Sequence, residues 1–194
     1  DRSNAEYIHF DVMDGDFVPN LTFGPKFISN VRKFSNKVFD VHLMINRVER
    51  FLDDYIRAGS DIITFHIEIN EDIENIIKKI KAKGIKCGLA IKPKTSWSEI
   101  QPYLQHIDQV IIMTVEPGFG GQEFMNDQVD KIKNISNFIK LNNLRVGIEI
   151  DGGINFETGQ TCVEAGANIL VAGSFLFNQG DLIAATNSLS DKFN

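Results

Sequence analysis

The chain has 194 residues, 43% of them hydrophobic and 24% charged, with a formal net charge of -6. That length supports one substantial core, so a single domain over residues 1–194 is expected. The acidic balance excludes a protein that holds nucleic acid or an anionic membrane by its overall field; an anionic partner would have to be gripped locally, by backbone N–H groups.

The first apolar run, YIHFDV from Tyr7, reads as a buried strand. Its like recurs as VFDVHLM from Val38, DIITFHI from Asp61, KCGLAI from Lys86, DQVIIMTV from Asp108, RVGIEI from Arg145 and NILVAG from Asn168. Helical patterns separate these runs. Phe51, Leu52, Tyr55 and Ile56 would face inward before Gly59, then Ile73, Ile76, Ile77 and Ile80 before Gly84, then Val129, Ile132, Ile135 and Ile139. A helix is thus predicted after every strand. Cys87 and Cys162 stand apart with no CxxC spacing, which argues against a disulfide framework or a cysteine zinc site and points to a reducing, cytoplasmic compartment. No apolar run approaches the ~18 residues of a membrane span.

Repeated strand-helix units with short connections give a parallel sheet, either doubly wound or closed into a barrel. Two features favour the barrel. Polar residues gather at the C-terminal ends of several strands (His9 and Asp11, His42, His66, Asp151), where a barrel places its chemistry. No GxGxxG follows a strand, so the usual mark of a doubly wound nucleotide fold is missing. The expected fold is an α/β (β/α)8 TIM barrel; since only seven strands are read, its first strand-helix unit is expected to be missing from this chain.

His9, Asp11 and Met13 are spaced by two and so share one side of a strand; Asp40, His42 and Met44 repeat the arrangement on the next. His9, Asp11, His42 and Asp151 together make a ligand set for one divalent metal ion, with zinc, ferrous iron, manganese and cobalt all suited to it. A lone histidine near an apolar strand is more often a hydrogen-bonded structural residue. The matched spacing on adjacent strands favours the metal. His66 and Glu68 are given no chemical role, and Lys92 and Lys94 are either solvated surface or a local attraction for an anion. A second constellation is glycine-rich: EPGFGGQ from Glu116, DGGIN from Asp151 and AGS from Ala172 each follow a strand and offer backbone N–H groups, as the phosphate site of a barrel does.

HFDVMDGDFVPNLTFGP, DVHLM, FHIE, IKPKT, MTVEPGFGGQEFM, DGGI and GANILVAGS resemble the ribulose-phosphate 3-epimerase family from Tyr7 to about Phe177. The TVEPGFGG and IKPKT segments are nearest its eukaryotic form. The resemblance implies an isomerase of the pentose phosphate pathway that interconverts D-ribulose 5-phosphate and D-xylulose 5-phosphate, by proton removal and return at C3 through a 2,3-enediolate. It implies that Asp11 and Asp151, besides holding the metal, are the acid/base pair. It implies sugar-phosphate contacts from His42, Gly118, Phe119, Gly120, Gly121, Gly152, Gly153, Gly173 and Ser174, and an enediolate wall of Met13, Met44 and Met113, whose plain alternative is core filling. It also implies a homo-oligomer, a dimer first. Two alternatives stay open: an epimerase of another ketose phosphate on the same scaffold, and a metal-independent phosphate-barrel lyase, which would put a lysine among the strand-end carboxylates.

Overall fold

The computed structural model describes residues 1–193. Strands β1 (Tyr7–Met13), β2 (Val38–Met44), β3 (Ile62–His66), β4 (Lys86–Ile91), β5 (Gln109–Met113), β6 (Gly147–Asp151) and β7 (Ile169–Val171) form one parallel sheet in the order β1-β2-β3-β4-β5-β6-β7. Pairing every strand with its neighbours in sequence is the topology of a TIM barrel. Among the described residues β1 and β7 are the two edges of a nearly closed barrel. The segment before β1 reaches the last helix, α8 (Leu182–Phe193), where the Asn4 backbone N–H donates to Asn187 Oδ1 at 2.8 Å.

The strands form because their residues are apolar and largely β-branched, with helices on one face and the barrel interior on the other. Every residue of β3 and of β5 is buried. The helices α1 (Pro25–Arg32), α2 (Val48–Arg57), α3 (Ile73–Ala82), α5 (Val129–Leu141) and α6 (Phe156–Ala165) each lay an apolar stripe on the sheet. In α3 the Asp72 carboxylate caps the first turn by accepting the Asn75 N–H, Ile76, Ile77 and Ile80 point inward, and Gly84 follows the last turn at φ +74°.

Two expectations about helices are corrected. In α2 the buried face is Val48, Leu52 and Tyr55, while Phe51 is 38% exposed, because the stripe begins one turn earlier than the apolar residues before Gly59 suggest. After β4 no full helix forms: a single turn, α4 (Trp97–Ile100), tightens into a 3-10 turn over Gln101–His106. Pro102 has no N–H with which to continue the α ladder. A short helix α7 (Ser174–Phe177) follows β7.

Parallel register sets the site. It places His9 beside Asp40, Asp11 beside His42 and Met13 beside Met44 across β1 and β2, and Met113 beside Asp151 across β5 and β6.

Candidate active site

Alternation along β1 sends His9, Asp11 and Met13 to the barrel interior at rising height, and β2 does the same with Asp40, His42 and Met44. Asp11 Oδ1 lies 3.3 Å from His9 Nε2 and 3.2 Å from His42 Nδ1, and Asp151 Oδ2 lies 3.7 Å from the same His42 nitrogen. The sequence's four metal candidates, His9, Asp11, His42 and Asp151, therefore converge, with one ligand atom from each inside a 4.8 Å span.

The outward-facing nitrogen of each imidazole is held by a different group. Asp40 Oδ2 accepts the His9 Nδ1–H at 2.7 Å. For His42 the support is a chain. The Glu68 carboxylate accepts the His66 Nδ1–H at 3.0 Å, so His66 Nε2 is an acceptor, and it takes the His42 Nε2–H at 2.9 Å. Glu68 is itself anchored, accepting the Lys92 backbone N–H at 2.7 Å. Both supports leave one ring nitrogen aimed at the shared carboxylates, His9 Nε2 and His42 Nδ1. Histidines that bind metal are usually held this way, with the other ring N–H on a fixed acceptor.

The electrostatics agree. Burial disfavours the His42 cation, but the carboxylates of Asp11 and Asp151 outweigh it and hold the ring at about 9. Burial likewise opposes charge on His9, and Asp40 and Asp11 overcome it, pushing that ring well above its ordinary value. Asp11 is buried in a way that would raise it, yet the two rings drive it far below the usual carboxylate range. His66 goes the other way: burial pushes it down to about 4 and keeps it neutral, as an acceptor in the chain requires. The site thus concentrates negative charge around two imidazoles and draws positive charge to one point. Two imidazole nitrogens and two carboxylates, each ring backed on its far side, fit a divalent cation.

Above this point opens the cleft lined by Asp11, Asp151 and the three methionines. Met13, Met44 and Met113 are at most 8% exposed and wall its floor. Gly118, Phe119, Gly120 and Gly121 of one loop line the cleft, as do Gly152, Gly153, Gly173 and Ser174. The first loop is tied down by Asn20 Nδ2, which donates to the Gly118 carbonyl at 2.8 Å, and by Gln122 Nε2, which donates to the carbonyls of Glu116 and Phe119. Gly152 stands at φ +127°, and a Cβ there would sit 2.8 Å from the Val115 backbone nitrogen. No side chain caps the N-terminus of α7 at Gly173. Lys92 and Lys94 do not line the cleft: the Lys92 ammonium lies 3.7 Å from the Phe17 ring centre and Lys94 pairs with Glu116 at 3.6 Å.

Five residues of the site carry no role in the sequence reading. Two are His66 and Glu68 behind His42; the others, Asp40, Glu149 and Gln109, are fully or nearly fully buried beneath His9. Glu149 Oε1 is 3.1 Å from His9 Nδ1, and burial together with the Asp40 charge pushes this carboxyl up to about 8. A signal for two of them exists in the sequence, since Asp40 and Glu149 stand two residues before His42 and Asp151 and so share their strand face.

A sequence model described as the ribulose-phosphate 3 epimerase family matches residues 1–177. The ribulose-phosphate 3-epimerase of Bacillus subtilis (strain 168) is 41% identical over 182 residues, covering 93% of this chain and 84% of that protein. That of Escherichia coli (strain K12) is 38% identical over 180 residues, covering 92% and 80%, and the chloroplastic enzyme of Arabidopsis thaliana 40% identical over 189, covering 96% and 67%. Bacterial and plant relatives thus match to a like degree. Among solved structures, KGPDC from Streptococcus mutans superposes with a TM-score of 0.72 at 13% identity, covering 97% of this chain and 85% of that one. A 3-hexulose-6-phosphate synthase superposes with a TM-score of 0.67 at 16% identity, covering 97% and 87%. At such identities these two show the barrel fold alone.

Proposed function

This chain belongs to the ribulose-phosphate 3-epimerase family, and from that premise we propose that it interconverts D-ribulose 5-phosphate and D-xylulose 5-phosphate with a divalent cation held by His9, Asp11, His42 and Asp151. The observation that carries the reading is the pair of carboxylates. Asp11 on β1 and Asp151 on β6 reach one cleft from strands that are not neighbours, so a substrate between them has a carboxylate toward each side. Inversion at C3 needs a proton taken from one face and another delivered to the opposite face. One carboxylate acts as base while the other acts as acid, and the roles exchange in the reverse direction.

When bound, a divalent cation supplies positive charge that offsets the negative charge developing on the sugar oxygens as the 2,3-enediolate forms. Zinc, ferrous iron, manganese and cobalt all suit the donor set. The chain's own residues do the rest. Met13, Met44 and Met113 present a polarisable, water-excluding floor to the flat intermediate. The glycines at 118, 120, 121, 152, 153 and 173 leave room for the substrate and its phosphate to approach backbone N–H groups, with Phe119 and Ser174 beside them and His42 below. The acidic protein thereby binds an anion without a basic patch.

The lyase alternative calls for a lysine among the strand-end carboxylates, and the described residues lining the cleft include none. The same reading makes the chain a homodimer, which sedimentation of the purified protein checks. The deciding experiment mixes the protein with D-ribulose 5-phosphate in heavy water and follows C3 by NMR, with chelator and then with metal restored. Expected is xylulose 5-phosphate carrying deuterium at C3, lost on chelation and regained on add-back. A C3 proton that survives unchanged with metal bound would remove ribulose 5-phosphate as the substrate.

A further inference from the structure

Beneath His9 lie three buried side chains, Asp40, Glu149 and Gln109, that the proposed chemistry does not use. Gln109 Nε2 donates to Asp40 Oδ1 at 3.2 Å and also to Glu149 Oε2. On the far side of the same two carboxyls stands His9, whose Nδ1–H goes to Asp40 Oδ2 at 2.7 Å while Glu149 Oε1 lies 3.1 Å away. One amide and one imidazole thus bracket a pair of carboxyls, at the bottom of the barrel, out of contact with solvent. Asp40 and Glu149 are 0% exposed and Gln109 is 2% exposed.

A core needs none of this. A buried carboxylate beside a second carboxyl is costly to desolvate, so three apolar side chains of like volume would fill the space at lower free energy. The arrangement has a directional consequence instead. Asp40 in its carboxylate form only accepts, so it fixes the Nδ1–H tautomer of His9 and turns Nε2 toward Asp11. Gln109, held by its second bond to Glu149, keeps Asp40 from rotating away. His42 reaches the same end through the neutral His66, so the two ligand rings are backed by groups of different charge.

We propose that Asp40, Glu149 and Gln109 are positioning residues that set the tautomer and orientation of His9 and so raise the site's affinity for its divalent cation. The inference rests on the reading of His9 as a ligand. Cobalt(II) serves as the probe, because its visible absorption reports the ligand field, and its dissociation constant is measured by competition with a chelator. Asp40→Asn offers an amide that can donate to Nδ1 and favour the wrong tautomer. It is expected to weaken cobalt binding about 10- to 100-fold and to change the visible spectrum. In zinc-loaded protein the hydrogen-bonded His9 Nδ1 proton should move upfield. Gln109→Met keeps all four ligands and both carboxyls and should weaken binding in the same direction by a smaller factor, which keeps the test open if Asp40→Asn does not fold. Glu149→Leu, which removes the acceptor that holds Gln109, should weaken binding in the same direction, and Glu149→Gln, which restores an acceptor, should recover most of the loss. The inference is overturned if Asp40→Asn or Gln109→Met melts at a lower temperature but binds cobalt with the parent's affinity, spectrum and Nδ1 proton shift. If the parent chain itself binds no cobalt, it is the metal reading that falls, and this inference with it.

Discussion

Replacing Gly152 by alanine tests whether the loop after β6 is built as described. Gly152 stands at φ +127°, and a Cβ there would lie 2.6 and 2.8 Å from the two Val115 methyls and 2.8 Å from the Val115 nitrogen. The backbone conformation costs a non-glycine residue about 1–3 kcal/mol, and relieving contacts against a neighbouring backbone adds about 1–3 kcal/mol. Gly152→Ala should therefore destabilise by roughly 2–6 kcal/mol, lowering the Tm by roughly 5–20 °C for a domain of this size. Since Asp151 is the preceding residue, any shift also moves a carboxylate of the site, and turnover should fall on the order of 100-fold. Gly120→Ala is the control: its added Cβ meets nothing within 4 Å and its φ is not in the left-handed region. It should change stability by less than about 0.5 kcal/mol. Adding Val115→Ala to Gly152→Ala should recover part of the loss, with a coupling of about 0.5–3 kcal/mol. Chemical denaturation and steady-state kinetics read both effects. A Gly152→Ala protein as stable and as active as its parent would refute the reasoning.

Asp11→Asn and Asp151→Asn should each lower epimerisation by at least about 100-fold, with the fold retained by circular dichroism; near-parental turnover in either would remove it from the acid/base pair. In metal-free protein His42 is held at about 9, against roughly 6.5 when unfolded. Its protonated form therefore contributes stability that is complete below about pH 6.5 and lost as pH rises through 9. Glu149, raised to about 8, also makes the fold lose stability as pH rises toward that value. The Tm of chelator-treated protein should accordingly fall from about pH 6.5 to 9, and a rising Tm in that window contradicts the assignment. Adding the cation near neutral pH should release protons, seen as a buffer-dependent heat in calorimetry. Cys87 and Cys162 are free and buried, and burial pushes both thiols up to about 12. A thiol reagent near pH 8 should label neither in folded protein and both in denaturant.

Strand positions, and the faces shared by the metal candidates of β1 and β2, follow from short-range rules. Period-two alternation fixes which residues of IHFDVMD and VFDVHLM share a face, and seven apolar runs separated by helical patterns leave few topologies. Local chemistry also announced the caps: Gly84 ends α3 at positive φ, as its place after the last isoleucine indicates. On α2 the expected Leu52 and Tyr55 do face inward, but Phe51 does not, because Phe51 and Leu52 are both apolar and only packing against the sheet selects Leu52. The alternation of strand and helix predicts a full helix after β4, whereas Pro102 follows a first turn already capped by Ser96 and halts it.

What the sequence by itself determined is therefore the alternating parallel sheet, the barrel rather than the doubly wound fold, and which side chains rise toward the mouth. The tertiary structure alone decided which polar groups meet beneath it. Nothing local links Gln109 to Asp40, His9 to Glu149 or His66 to His42, separated by 69, 140 and 24 positions along the chain. Burial removes water as their partner, so each must find another in the closed interior. Which one it finds depends on strand tilt and register, and those are set only when the strands have packed together.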